Sequence, residues 1–305
     1  AGVAHPTPAV MEQMRAKHPQ GERNPFGEGD GPACTRLPLD SIQLLDSLVK
    51  KLDVQTSPGI SGWSPHLVQL CYGRPEEDRP FRRFLFTLAV QMNAGTAPGK
   101  EMLCASRLTP LQVDPAPKCR PVACGELFYR ILMRFLMRQL GCDGMLAPQQ
   151  FGVGSPGGVE PIVELVNLEL QGLQDLQDRH VYSLDMSNAF NTVKRTSLAT
   201  ALRTGGRTSQ RYYRLAKWAY NDRTPLIMRR GQELEIIYSA EGVRQGDPLG
   251  PLLFSLCLRS KLKSLKDIVA PDPRDHVSAY LDDVYLVSDS ADKLQAILEE
   301  FNKPD

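Results

Sequence analysis

Residues 276–289 read HVSAYLDDVYLVSD, and no other stretch restricts the chain so tightly. Val277, Ala279 and Leu281 alternate on the way in, and Val284 and Leu286 alternate on the way out. Period-two alternation around two acids predicts a strand, a turn and a second strand, with Asp282 and Asp283 at the tip. Asp suits turns, so an exposed Asp-Asp hairpin turn is the plain alternative. The flanks, however, are apolar and carry no lysine. Adjacent carboxylates repel and raise each other's pKa, so two of them between apolar strands call for a cation. Oxygen donors in a small hard site suit Mg²⁺, which keeps some waters and borrows substrate phosphates as ligands.

Two further segments belong with this one. VYSLDMSNAF at 181–190 begins as a short β-prone run and ends at Asp185, with Ser187 or Asn188 placed to cap a following helix. An acid at the end of a buried strand is costly without a partner. EGVRQGDPLGPLLFSLCL at 241–258 has Gly242 and Gly246 for a flexible approach, then Asp247 as an N-cap with Pro248 at the first helical position. Leu249, Leu252, Leu253 and Leu256 follow as one apolar face. A helix start offers free N–H groups, and Gln245 with the glycines is placed to pack against a bound nucleotide or template base. Read together, the three acids suit two metal ions about 3.5–4 Å apart, activating a 3′-hydroxyl and stabilising a leaving pyrophosphate.

The rest of the chain sets the frame. Its 305 residues suit two domains or one large one, and 42% hydrophobic with 23% charged residues exclude a disordered or collagenous chain. No run of eighteen apolar residues and no basic-then-apolar start appear, so neither a membrane span nor a secretory signal is expected. The first residue is Ala, which suggests a fragment or a processed product. With 36 basic and 35 acidic residues the net charge of +1 decides nothing about nucleic acid. Seven cysteines without a CxxC or paired Cys/His spacing read as free thiols in a reducing compartment.

Residues 1–36, rich in Pro, Gly and charge, read as a flexible arm. Ile42, Leu45, Leu48, Val49 and Leu52 predict an amphipathic helix, and 80–93 a second. Two short strands are expected within 103–124 around the turn DPAPK. Residues 125–140 predict an apolar helix on which Arg130, Arg134 and Arg138 form one stripe. That stripe is either a solvated face or a contact to a nucleic-acid backbone. GVGSPGGVEP at 152–161 is glycine-rich but lacks a dinucleotide or P-loop register, and a helix follows it at 159–176.

In this order the segments DMSNAF, RQGDPLGP and YLDD resemble the three palm motifs of the reverse transcriptases. KCRPVACGE at 118–126, FGVGSPGGVEP and SPGISGW resemble upstream segments of the non-LTR retrotransposon enzymes, most closely a site-specific R2-like or LINE type. The resemblance covers roughly 37–300, and Leu281 stands where those enzymes commonly carry Ala.

It implies an α+β right-hand polymerase, with fingers at 37–178 and a palm at 179–305. The helix at 159–176 would belong to the palm though interleaved with the fingers. The antiparallel palm sheet would be backed by helices at 159–176, 188–203 and 248–266. The primer-grip hairpin and helical thumb are expected beyond Asp305. It implies RNA-directed DNA polymerisation as part of a retroelement polyprotein, with an RNA template, a DNA primer and deoxynucleotides as partners and no membrane. Two Mg²⁺ ions, or Mn²⁺, would be held by Asp185, Asp282, Asp283 and the carbonyl of Met186. Phe190 would be the steric gate against the 2′-hydroxyl. Gln245 and Gly246 would line the nucleotide pocket, Lys118 and Arg120 would bind the triphosphate, and Tyr280 would touch nucleic acid. An intracellular location, nuclear or cytoplasmic, follows. The alternatives are an inactive remnant that binds RNA, a group II intron-type enzyme, and an RNA polymerase, which Phe190 disfavours.

Overall fold

The computed structural model describes residues 2–73, 79–113, 117–172, 180–269, 275–288 and 293–303. Along the chain run α1 (Pro8–Ala16), a 3₁₀ turn (Leu39–Ser41), α2 (Ile42–Lys50), α3 (Pro65–Tyr72), α4 (Pro80–Ala94) and α5 (Lys100–Leu103). The strands β1 (Ser106–Gln112) and β2 (Cys119–Gly125) follow, then α6 (Leu127–Leu140), α7 (Glu160–Gly172) and β3 (His180–Leu184). Next come α8 (Ala189–Thr192), α9 (Arg195–Thr204), α10 (Arg207–Arg211), α11 (Tyr213–Tyr220), β4 (Thr224–Arg230) and β5 (Glu233–Ser239). The chain continues through α12 (Gly250–Val269), β6 (His276–Tyr280), β7 (Asp283–Ser288) and α13 (Lys293–Asn302). No described helix is long and apolar enough to cross a membrane.

The chain divides into two units, one of Ala1–Gly141 with Phe190–Gly250 and one of Cys142–Ala189 with Pro251–Asp305. This division is discontinuous and differs from the expected boundary at 178/179. The expected helix at 188–203 is likewise interrupted, as short α8 and then α9.

The first unit holds a mixed four-stranded sheet in the order β2-β1-β4-β5. The pairs β1/β2 and β4/β5 are antiparallel hairpins, while β1 and β4 run parallel over only Ser106↔Leu226 and Arg107↔Ile227. Residues 114–116, inside the expected DPAPK turn, lie outside the described residues. The hairpin β4–β5 was not anticipated. Its signal is the apolar alternation of TPLIM and ELEIIYS around Gly231, whose φ of 63° suits the first central position of a two-residue turn.

Residues 2–36 are not a loose arm. The Ala4 amide donates to the Pro110 carbonyl and the Gln112 amide to the Gly2 carbonyl, each at 2.9 Å, so the N-terminus pairs alongside β1. Thr7 caps α1, accepting from the Val10 amide. Met11 and Met14 stand three apart on α1, and both bury against Leu108, Cys119, Ala123, Leu226, Met228 and Ile237 of the sheet. Further on, Phe26 is 1% exposed and its carbonyl accepts from the Tyr213 hydroxyl at 2.6 Å. Composition suggests a flexible arm, but two methionines at helical spacing pack α1 onto the sheet.

The second unit is built on an antiparallel sheet in the order β3-β7-β6. The backbone of Gln149–Phe151 joins β6: the Phe151 amide donates to the Ala279 carbonyl and the Ala279 amide to the Gln149 carbonyl, both at 2.8 Å. The start of β6 is tied to α13 by Asp275, whose side chain is fully buried and meets Lys293 Nζ at 2.9 Å. Leu252, Leu253, Leu262 and Leu265 of α12 are completely buried.

Truncating Met14→Ala is expected to cost about 2–5 kcal/mol, since α1 relaxes only in part around the lost volume. Urea unfolding of parent and variant measures it. His18 yields a pH expectation. Burial holds its pKa below 6.5, although its Nδ1–H donates to the Met14 carbonyl at 2.6 Å. The unfolded chain therefore takes up a proton near pH 6.5 that the fold resists until lower pH. Stability should fall as pH drops below 6.5, and the slope should flatten in His18→Phe.

Candidate active site

In the second unit the hairpin β6–β7 closes with Tyr280 opposite Asp283, leaving Leu281 and Asp282 as a two-residue turn. On the other side of β7, Leu184 of β3 is opposite Val284. Asp185 is the next residue, so the same register carried one step further sets it opposite Asp283. The fold therefore brings Asp185, Asp282 and Asp283 to one end of this sheet. Asp185 and Asp283 are exposed and Asp282 is half-buried. Met186, half-buried, follows Asp185 directly, and Asn188 takes a φ of 55° before α8.

Carboxylate and carbonyl oxygens are the donor chemistry that Mg²⁺ prefers, and exposed strand ends leave room for phosphate and water. Among the described residues no three His, Cys, Asp or Glu side chains converge closely enough to hold a metal by themselves. Tyr280 is half-buried and, with Asp283, Tyr285, Val163 and Val166, lines a cavity of about 420 Å³ within this unit.

The first unit carries the remaining expected residues. Lys118 and Arg120 are exposed, at the start of β2. The 242–247 segment docks on the open edge of this strand, where the Ala123 amide donates to the Gln245 carbonyl at 2.7 Å. Gly246 has φ 114°, and a Cβ there would stand 2.6 Å from the Ala123 carbonyl oxygen, so only glycine fits. Phe190 is half-buried and its carbonyl accepts from the Val243 amide at 2.6 Å. Lys118, Arg120, Gln245 and Gly246 are thus gathered along β2, and Phe190 is bonded to the same 242–247 segment. Arg134 and Arg138 are exposed on α6, whereas Arg130 turns inward and donates to the Ser57 carbonyl at 2.5 Å. The stripe therefore has two solvent-facing members.

Sequence inspection did not find the buried network under this segment. Asp247 Oδ2 accepts from Tyr129 Oη and Tyr220 Oη at 2.6 Å and from Arg244 at 2.5 Å, while Oδ1 accepts from the Leu249 amide at 2.9 Å. The expected cap is not formed: α12 starts at Gly250 and not at Pro248, and Asp247 instead holds the turn that precedes the helix. Arg244 also donates to Thr224 Oγ1 and to the Tyr129 hydroxyl. Burial, and then the charge of Asp247, push both phenols well above their ordinary pKa, so they stay protonated donors. Beside them Arg195, 1% exposed, donates to the carbonyls of Gly242, Tyr220, Asp222 and Ser239. Burial and the neighbouring Arg244 lower the Arg195 pKa to about 10, still leaving it charged at neutral pH. The signal available was RQGD itself: a cation and an anion three apart beside a helix start.

Residues 112–303 match the family model described as reverse transcriptase (RNA-dependent DNA polymerase), more than half of the chain. Among curated proteins, the chain is 26% identical over 197 residues to the retrovirus-related Pol polyprotein from type-1 retrotransposable element R2 of Nasonia vitripennis. That match covers 62% of this chain and 19% of the relative. It is 23% identical over 261 residues to the type-2 element R2DM polyprotein of Drosophila melanogaster, covering 84% of this chain and 24% of that protein. The retrotransposable element SLACS 132 kDa protein of Trypanosoma brucei gambiense is 25% identical over 252 residues, 81% of this chain and 20% of its own. The chain spans about a fifth to a quarter of the length of these relatives.

Removing the anion of the buried network leaves Arg244 without its counter-charge. Asp247→Ala is expected to cost about 3–5 kcal/mol. Tyr220→Phe removes one of three donors to the same oxygen and should cost nearer 1 kcal/mol, about the net worth of a hydrogen bond. Denaturant unfolding of the two variants checks the ranking.

Proposed function

The chain belongs to the reverse transcriptase family, and from that premise we propose that it carries the catalytic centre of an RNA-directed DNA polymerase from a retroelement polyprotein. The observation that carries this is the placement of Asp185, Asp282 and Asp283 at one end of the β3-β7-β6 sheet. The second unit then corresponds to the palm, and the four-stranded sheet of the first unit to the fingers.

In the proposed reaction the primer 3′-oxygen attacks the α-phosphorus of a deoxynucleoside triphosphate. A new phosphodiester bond forms and the bond to the bridging oxygen breaks, releasing pyrophosphate. Asp185, Asp282 and Asp283 would hold two Mg²⁺ ions with the Met186 carbonyl. When bound, such ions lower the pKa of the attacking hydroxyl and offset charge on the leaving group. Lys118 and Arg120 receive the triphosphate through charge-assisted contacts. Gln245 and Gly246 line the nucleotide pocket. Phe190 lies beneath the sugar and excludes a 2′-hydroxyl. Tyr280 with the exposed Arg134 and Arg138 meets the nucleic acid.

Primer extension on an RNA template with Mg²⁺ and deoxynucleotides tests the proposal. Asp282→Ala should lower extension by about a hundredfold or more while the thermal midpoint holds. Equal extension by parent and variant would remove the acid from the mechanism. Phe190→Ala should admit ribonucleotides, read by competition between the two sugars.

A further inference from the structure

The turn that carries Asp282 is held by a residue distant in sequence that the polymerase mechanism does not use. The Leu281 amide donates to Gln150 Oε1 at 2.8 Å, and Gln150 Nε2 donates back to the Leu281 carbonyl at 3.2 Å. One carboxamide, with one acceptor and one donor, satisfies both backbone polar groups of Leu281 as a neighbouring strand would. The same Oε1 accepts from the Gly152 amide at 3.0 Å. Gln150 is 4% exposed, and its own backbone is registered on β6 through the bonds of Gln149 and Phe151 to Ala279. Gly152 approaches so closely that a Cβ there would lie 2.6 Å from the Leu281 nitrogen and 2.8 Å from its Cγ.

Leu281 needs such a hold. Its φ is 57°, a region that crowds any Cβ and is ordinarily left to glycine, Asn or Asp in a two-residue hairpin. Unheld, a leucine there relaxes toward negative φ, and the peptide that begins Asp282 rotates with it. We propose that Gln150 is a positioning residue: its carboxamide clamps Leu281 in the left-handed conformation and so fixes where the Asp282 carboxylate stands. The role in catalysis rests on the polymerase reading of Asp282; the clamp itself does not. Glutamine suits the task because glutamate lacks the donor and methionine lacks both groups.

The test combines amide hydrogen exchange with steady-state primer extension in the parent, Gln150→Met, Gln150→Glu and Gln150→Met/Leu281→Gly. Exchange at the Leu281 amide should quicken about tenfold or more in Gln150→Met, as expected for the loss of a half-buried hydrogen bond. The kcat for extension should fall about tenfold to a hundredfold, with the deoxynucleotide KM within about threefold, because misplacement acts on the reacting geometry. Leu281→Gly in that background should recover part of kcat, since glycine takes positive φ without help.

Should Gln150→Met lose its fold, Gln150→Glu carries the test. It keeps both acceptor bonds, so its loss in kcat should be smaller, and Leu281→Gly should recover it too. Unchanged Leu281 exchange in a folded Gln150→Met overturns the clamp, whether or not the parent makes DNA. A fall in kcat that Leu281→Gly does not recover overturns the positioning role. Faster Leu281 exchange in Gln150→Met, in a parent that extends no primer, supports the clamp and counts against the polymerase reading.

Discussion

The carboxylate of Asp247 has 1% of its side chain in contact with solvent, and so much of the first unit converges on it that its arrangement decides where several elements sit. An isolated ion at that depth is worth several kcal/mol of destabilisation. Here the cost is met by a guanidinium, two phenols and a backbone amide, all aimed at its two oxygens. The partners come from α6, α11 and the turn before α12, and Arg244 adds Thr224 at the start of β4. A satisfied polar network of this kind specifies one geometry, because any shift of a helix leaves a buried group unpaired. Arg195 follows the same logic with backbone carbonyls, and the Glu241 carboxylate accepts from the Arg195 amide at 2.7 Å. Arg195 holds the Gly242 carbonyl and Arg244 is tied to Asp247, so the backbone that carries Gln245 and Gly246 is held on both sides.

The β4–β5 and β6–β7 hairpins show how differently a turn can be stabilised. Between β4 and β5 the positive φ falls on Gly231, which adopts it without steric cost and needs no outside support. Between β6 and β7 the corresponding residue is Leu281, and its support comes from Gln150. A non-glycine residue in this conformation stores strain of order 1–3 kcal/mol and persists only where its surroundings over-determine it. The glycine turn lies in a hairpin to which no catalytic role is assigned. The strained and clamped one carries an acid of the candidate site. A leucine side chain packed on Gly152 also restricts the turn in a way that glycine would not.

How much of this was legible in the sequence depended on range. The acid hairpin, the strand leading to Asp185 and the leucine face of α12 are local patterns of period two or 3.6. The hairpin appears as expected, while β3 ends one residue earlier, at Leu184, and α12 starts later, at Gly250, so that Leu252, Leu253 and Leu256 lie on it but Leu249 does not. The helix at 125–140 appears as α6, but which arginine of its stripe turns inward is decided by the Ser57 loop, far away in sequence. The N-terminal residues do not form the expected arm: Pro, Gly and charge dominate their composition, while the few that reach the core, among them Ala4, Met11, Met14 and Phe26, are scattered along them. The hairpin at 224–239 was legible in principle from its alternation around Gly231. Gln150 was not: a lone glutamine before a glycine-rich loop has no local signature, and its meaning arises only when β6 lies beside it.

Several of the expected functional residues, or their neighbours, are held by their main chain. Gln245 is held through its carbonyl by Ala123, Phe190 through its carbonyl by Val243, and Leu281, beside Asp282, through both amide and carbonyl by Gln150. Buried charges such as Glu126, Arg195, Glu241, Arg244, Asp247 and Asp275 are bonded within the structure, whereas Asp185, Asp283, Lys118 and Arg120 are exposed. Rigidity is thus supplied to main chain, and the chemistry proposed here falls to side chains at or near the surface. A group that must exchange ligands every cycle gains from this separation, because its solvation can change without disturbing the network that places it. The same separation explains why the acids are recognisable in a sequence and their supports are not. Motifs record the groups proposed to react, while their backbone is held by residues such as Gln150, Tyr129 and Tyr220 that lie outside the motifs.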